Sequence, residues 1–253
     1  MCKLELRDYL YVMEEQFIRT QMLYGEIGLA RLRSAKVIVF GLGGVGGHVA
    51  EALARSGIGT LALVDHDRIT LSNLNRQILA LHSTLGQLKV DAAEERIHDI
   101  APNCIVQKHA LFVTPELIGQ MDFRQYSYVV DAIDTVSAKL ALAEAAQKSG
   151  VPIISCMGAG NKRLATALQV ADLAQTAICP LARIMRKKLR HRGIEHLKVV
   201  YSREEPHEPE DCMEENEKGR PVPGSNAFVP AVAGLLIAGE VINALSSELE
   251  IQP

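Results

Sequence analysis

The stretch Gly41-Leu42-Gly43-Gly44-Val45-Gly46-Gly47 limits what this chain can fold into more than any other. Ahead of it runs Val37-Ile38-Val39-Phe40, too short for a helix and rich in β-branched side chains, which predicts a buried strand feeding a glycine-rich turn. Behind it, Val49, Ala50, Leu53 and Ala54 recur at helical spacing between His48 and Ser56. Gly57 then supplies the residue type that best tolerates the left-handed conformation past a helix end. Leu61-Ala62-Leu63-Val64 predicts a second strand, ending in Asp65. Gly41, Gly43 and Gly46 therefore form a G-x-G-x-x-G spacing between a strand and a helix, with an acid at the end of the next strand. Glycines let the backbone approach a phosphate chain, the first-turn N–H groups favour its negative charge, and the carboxylate takes ribose hydroxyls. A bound nucleotide is implied.

The residues after Asp65 bear on which nucleotide. A nicotinamide enzyme needs little there, whereas this chain continues through Asp67, Ser72, Asn73, Asn75, Arg76 and Gln77, and then places Lys89 behind Gly86. An arginine fork and a lysine point charge aimed at one site suit the β- and γ-phosphates of ATP, where charge builds up as pyrophosphate leaves. Taken singly, Arg76 also reads as a solvated loop residue and Lys89 as a surface helix residue.

With 253 residues, 48% of them hydrophobic, and a net charge of −3, the chain has enough apolar material for a large globular core. Its cysteines, Cys2, Cys104, Cys156, Cys179 and Cys212, are scattered without a Cys-x-x-Cys pair, which favours a reducing compartment and counts against a cysteine-built zinc site. The charged start, Met-Cys-Lys-Leu-Glu-Leu-Arg-Asp, lacks the apolar core of a signal peptide, so a cytoplasmic location is expected. The apolar run from Val229 to Leu245 is short for a membrane span and contains Glu240. Pro230 suits a first helical turn, so a buried core helix with no membrane contact is expected.

Further along, residues 8–33 read as helical, and a helix from Val90 to Ile100 stops at Pro102. Ile105-Val106 is a strand candidate, and Thr114-Pro115 opens a short helix. Tyr128-Val129-Val130 predicts a strand delivering Asp131 and Asp134, followed by a helix from Ser137 to Ser149 and a strand at Pro152-Ile153-Ile154-Ser155. The alternation predicts an α/β fold: a doubly wound, mainly parallel Rossmann-like sheet with flanking helices and a C-terminal substrate-side extension. Asp65 and Asp134 would share the carboxyl rim of that sheet, where a carboxylate plus phosphate oxygens suits Mg²⁺. Asp134 reads equally well as a helix cap or a turn residue before the helix. The expected division is an N-terminal helical arm over 1–33, a nucleotide-binding core over 34–160, a basic helix and acidic loop over 161–225, and a C-terminal helix over 226–253.

The glycine loop, Asp65-x-Asp67, Ser72-Asn73-x-Asn75-Arg76-Gln77, Gly86-x-x-Lys89 and Asp131-Ala132-Ile133-Asp134 together resemble the ubiquitin-activating-enzyme-like ThiF/MoeB/HesA superfamily, which uses ATP to adenylate a carboxylate. Within it, Ser155-Cys156-Met157-Gly158-Ala159-Gly160-Asn161-Lys162, Lys198-Val199-Val200-Tyr201-Ser202 and Ser225-Asn226-Ala227-Phe228-Val229-Pro230 are similar to the tRNA threonylcarbamoyladenosine dehydratase branch. The resemblance implies that Gly41, Gly43 and Gly44 cradle phosphates and that Asp65 takes the ribose. It further implies that Asn73, Arg76, Gln77 and Lys89 serve the triphosphate, and that Asp134 serves Mg²⁺. Arg19 matches the position of an arginine that reaches the partner protomer's ATP, so a homodimer is implied. The implied substrate is tRNA carrying threonylcarbamoyladenosine, whose threonyl carboxylate is activated and then closed into a ring with net loss of water. A sulfur-trafficking or electron-donating protein is a further implied partner.

Between Arg183 and Arg192 lies a dense basic segment, which reads as a phosphate-backbone footprint or as a solvated basic face answering the nearby acids. The acidic stretch Glu204 to Glu217 cannot pack a core and reads either as a functional loop, one gating the substrate, or as a disordered one. Cys156 and Cys179 read as small buried hydrophobes rather than sulfur carriers. The rival readings are an adenylating enzyme for a sulfur-carrier protein's C-terminus and an NAD-binding oxidoreductase.

Overall fold

The computed structural model describes residues 15–208 and 222–247. The helical reading of 8–14 and most of the acidic stretch, with its gating role, lie outside the described residues.

Helix α1 (Ile18–Ser34) leads into strand β1 (Lys36–Phe40), helix α2 (Gly46–Arg55) and strand β2 (Thr60–Val64). Helix α3 (Lys89–Ile100), strand β3 (Ile105–His109), helix α4 (Pro115–Gln120), strand β4 (Tyr128–Asp131), helix α5 (Val136–Ser149) and strand β5 (Ile153–Cys156) follow. Strand β6 (Leu168–Asp172), helix α6 (Pro180–Arg190), strand β7 (Lys198–Ser202) and helix α7 (Val229–Ser246) complete the order. The strands form one 7-stranded sheet ordered β3-β2-β1-β4-β5-β7-β6, parallel except that β6 runs antiparallel to β7. Chain direction across the sheet reverses at β1, whose neighbours are β2 on one side and β4 on the other, so the crevice at its carboxyl end is where ligands of such sheets bind.

Alternation along β1 fixes both faces of the sheet. Val37 and Val39 pack with Val49 and Leu53 of α2, Ile97 of α3 and Ile237 and Val241 of α7, while Ile38 and Phe40 pack with Ile118 of α4 and Ala138 and Leu142 of α5. Truncating Leu53, fully buried, to alanine would cost about 2–5 kcal/mol. Thr114 caps α4 as its sequence predicts, accepting from the Leu117 N–H at 3.2 Å.

Two elements differ from expectation. Helix α1 is broken at Gly25, whose φ of 74° only glycine adopts readily, which is why apolar spacing there is mixed. Strand β6 escapes sequence reading because its residues are only partly buried, as befits a sheet edge.

Helix α7 is, among the described residues, the one helix long and apolar enough to cross a membrane, with mean hydropathy 1.7, yet half of it is buried in the fold. It packs against α1 and α2, and Gly234 makes this possible: a Cβ there would lie 2.5 Å from the Val45 carbonyl oxygen. Glu240 pairs with Lys198 at 2.8 Å.

Candidate nucleotide site

The glycine turn is built by contact, not only by flexibility. Gly41 has φ +87° and a Cβ there would lie 2.7 Å from the Ala132 carbonyl oxygen; a Cβ on Gly46 would lie 1.7 Å from the carbonyl oxygen of Gly41. Gly43 differs, since a Cβ there would meet nothing within 4 Å. Gly41, Gly43 and Gly44 line a cavity of about 580 Å³ at the carboxyl ends of β1, β2 and β4, with the N-terminus of α2 beginning just behind them. The partial positive charge of that helix end favours an anion.

Asp65 closes the turn from the far side. Its Oδ2 accepts from the Leu42 N–H at 2.6 Å and its Oδ1 from the Asp67 N–H at 2.8 Å, leaving lone pairs for ribose hydroxyls. Asn73 is buried and ties its turn together by accepting from the Thr70 N–H at 3.3 Å, while its carbonyl takes the Gln77 N–H at 2.9 Å. Gln77 is buried in the cavity wall with its Oε1 unpaired. Arg76 lies in the same wall, its Nη1 donating to the Ser72 carbonyl at 2.6 Å and to Asn75 Oδ1 at 2.9 Å.

Lys89 is no surface lysine. The strand-like segment after Asp67 pairs with the one before α3, through Ile69 N to Gln87 O at 2.9 Å and Lys89 N to Asp67 O at 3.0 Å. That pairing buries Lys89 in the cavity wall, where its ammonium donates to Asp67 Oδ2 at 2.6 Å. Asp134 is the turn residue before the helix and not its cap, which is Thr135: it is exposed on the cavity rim, and its Oδ1 accepts a long 3.3 Å bond from Thr135. A lightly engaged carboxylate across a cavity from Arg76 and Lys89 has the donor chemistry that Mg²⁺ takes, oxygen ligands shared with a nucleotide.

Every residue expected at the nucleotide thus lines one cavity, although their sequence positions span from Gly41 to Asp134. Arg19 does not: it is exposed on α1, outside that cavity. Sequence reasoning missed Asp67 as the partner of Lys89, and it missed His66 and Phe112, which meet edge-to-face at 4.7 Å and line the cavity's apolar end with Val113. No spacing signal links positions on different strands.

Cys104, Cys156 and Cys179 are buried free thiols. Burial pushes the Cys156 thiol up to about 12 and that of Cys104 up to about 11, which suits core residues and not nucleophiles.

Compared with known proteins, the chain is 43% identical over 249 residues to the tRNA threonylcarbamoyladenosine dehydratase of Bacillus subtilis (strain 168), covering 95% of this chain and 98% of that one. It is likewise 43% identical to the dehydratase of that name from Escherichia coli (strain K12), over 70% of this chain and 66% of the relative. Among solved structures, E. coli tRNA N6-threonylcarbamoyladenosine dehydratase in complex with ATP superposes with a TM-score of 0.84 at 34% identity, covering 94% of this chain and 97% of that one. E. coli MccB, at 20% identity and a TM-score of 0.65 over 91% of this chain and 63% of that one, shares the fold alone. The ThiF family model matches residues 17–253, so with its glycine turn, strand-end acids and buried Lys89 this chain belongs to the ThiF family.

Proposed function

We infer that this chain is an ATP-dependent tRNA threonylcarbamoyladenosine dehydratase. The observation that carries the reading is a 43% identity running the length of both this chain and its B. subtilis relative. The cavity supports it independently, because its size falls within the usual range for ligand pockets and it gathers glycine backbone, the cations Arg68, Arg76 and Lys89, and the carboxylates Asp65, Asp67 and Asp134 in one lining.

In this reading the threonyl carboxylate attacks the α-phosphorus of ATP, and the bond to the bridging oxygen breaks as pyrophosphate leaves. The carbonyl so activated is then attacked by the oxygen of the neighbouring urea group. The ring closes, AMP leaves with the former carboxylate oxygen, and a proton is lost, for a net loss of one water from the nucleoside. Arg76 and Lys89 neutralise charge on the departing pyrophosphate, the backbone of Gly43 and Gly44 cradles the phosphates, Asn73 and Gln77 orient them, and Asp65 holds the ribose. Asp134 would hold Mg²⁺, which would supply positive charge to screen the phosphates from the incoming carboxylate.

A homodimer and a cytoplasmic setting belong to the same reading. Arg19 stands beside Ile18, Met22, Leu23 and Ile27 on α1, and these apolar side chains are exposed, Met22 to 81% and Leu23 to 75%. A second copy covering them would receive Arg19 at its nucleotide. The tRNA backbone is assigned to α6, whose first turn adjoins the carboxyl end of β5: a Cβ on Gly158 would lie 3.7 Å from Cys179 Sγ, just before that helix.

The test is mass spectrometry of nucleosides from threonylcarbamoyladenosine-bearing tRNA incubated with the protein and Mg²⁺–ATP, beside an Arg76→Ala control. A product lighter by one water, dependent on ATP and absent in the control, is expected. An unchanged nucleoside, with ATP–pyrophosphate exchange elicited by a carrier-protein C-terminus instead, would move the chain to another branch of its family.

A further inference from the structure

Behind the cavity an ion pair is sealed inside the protein, between the strand-end Asp131 and Lys139 of α5. Lys139 is 0% and Asp131 1% exposed, and the ammonium lies 2.9 Å from Asp131 Oδ2. The same ammonium donates to the Ile133 carbonyl at 3.1 Å and to the Cys156 carbonyl at 2.8 Å, so its three N–H bonds are all used. Ser155 Oγ donates to Asp131 Oδ2 at 2.5 Å, and Asp131 Oδ1 accepts from the Ile133 N–H at 3.3 Å.

Such a pair is a poor device for stability. Desolvating two charges costs several kcal/mol, and well-packed apolar residues of similar volume commonly do as well or better. What an apolar pair could not do is hold two carbonyls. One belongs to Ile133, in the Ala132–Asp134 segment that walls the cavity; the other ends β5, where the chain turns toward Gly158 and the start of α6. The first segment is clamped from its other side, since Gly41 leaves no room between itself and the Ala132 carbonyl.

We propose that Lys139, held by Asp131, is a positioning residue for the carboxylate-activation step: it fixes the segment that presents Asp134 to the phosphates and locks it in register with the carboxyl end of β5. The inference rests on the nucleotide-site reading of Asp134 given above.

The decisive variant is the neutral pair Asp131→Asn with Lys139→Met, which removes both charges at nearly constant volume and leaves no lone buried ion. Lys139→Met alone strands a buried carboxylate and serves as the destabilised comparison. Hydrogen–deuterium exchange of the nucleotide-free full chain should show faster exchange at residues 132–135 and 157–158 in the pair, with the rest of the sheet unaltered. With ATP and tRNA, kcat per folded molecule should fall at least about tenfold, roughly 1.4 kcal/mol of barrier, while the dissociation constant for ATP stays near the wild-type value. Unchanged protection at those residues, or a wild-type kcat in the folded pair, would overturn the proposal. Asp134→Ala separates the two ideas. If it abolishes turnover while the neutral pair keeps a wild-type kcat, positioning by Lys139 fails and the nucleotide site stands; if Asp134→Ala turns over normally, the reading of the site itself fails.

Discussion

The Lys89 ammonium lies 2.6 Å from Asp67 Oδ2, with the lysine side chain 5% exposed and the aspartate 48% exposed. The cation is thus built into the wall while its counter-ion faces the cavity, an arrangement in which a phosphate can displace the carboxylate without moving the lysine far. Lys89→Met should lower ATP–pyrophosphate exchange by about 10²–10³-fold, the usual effect of losing one charge-stabilising donor. Asp67→Asn should act in the opposite sense on binding. It frees the ammonium and lowers KM for ATP, but costs about 1–3 kcal/mol of stability in denaturant titrations because a buried charge loses its partner. Wild-type exchange in the Lys89 variant would rule out its phosphate role.

The glycines of the turn separate into two kinds. Gly46 cannot accept a Cβ, which would overlap the carbonyl oxygen of Gly41, whereas Gly43 has open space in the direction of the cavity. Gly46→Ala should therefore fail to fold or melt far below wild type. Gly43→Ala should keep its melting temperature within a few degrees, since an unstrained surface-like change rarely exceeds about 0.5 kcal/mol, and lose ATP affinity measurable by calorimetry. A Gly43→Ala protein that binds ATP normally would mean that phosphates do not approach this backbone.

Glu51, Glu204 and His109 are among the groups held below their ordinary values, and two of them mark separate parts of the response of stability to acid. Burial pushes the Glu204 carboxyl up, but hydrogen bonds from the Leu164 and Arg163 N–H groups and from His207 outweigh it and hold the carboxyl below its ordinary 4.5. Its folded form binds fewer protons than the unfolded one, so its stabilisation is present above about pH 4.5 and is lost as pH falls through the lowered folded value. His109 is held below its ordinary 6.5 by burial first and by the Lys36 charge second, so it too stabilises at higher pH, with loss beginning as pH drops below 6.5. Melting temperature should fall as pH drops below 6.5 and again below about 4.5, and Glu204→Gln should weaken only the lower fall, to which Glu51 also contributes. An unaltered acid limb in that variant would show that Glu204 does not anchor the Arg163–Leu164 turn.

The glycine turn and the strand-end acids of the cavity were legible because they sit at the ends of elements with strong local signals. Gly41 to Asp65 is one strand–turn–helix–strand unit, and Asp134 follows an apolar strand, so each residue's place follows from periodicity. Asp67 could not be matched to Lys89, 22 positions on, because only the pairing of their flanking segments brings them together. Asp131 and Lys139 read as a strand end and a position in an alanine-rich helix, and nothing in sequence says that the lysine turns inward. Arg19 is intelligible only through family resemblance, since within one chain it is an exposed helix residue.

Helix α6 shows how a charge run divides once folded. Ala182, Met185 and Leu189 form its buried stripe, and not every cation of the segment is available. Arg186 is turned inward, donating to the Thr176 carbonyl at 2.8 Å and to Thr176 Oγ1 at 2.6 Å, and Arg192 is paired with Glu144 at 2.6 Å. Arg183, Lys187, Lys188 and Arg190 are exposed. If these meet the tRNA backbone, each releases counter-ions, and the triple variant Lys187→Ala, Lys188→Ala, Arg190→Ala should reduce the slope of log affinity against log salt by about 2–3 while sparing kcat at saturating tRNA. Arg186→Ala should do the reverse: lower stability by about 1–2 kcal/mol through the unpaired Thr176 groups and leave the salt slope as it was. A triple variant with an unaltered slope would return the helix to a solvated face and require the tRNA to enter from another side.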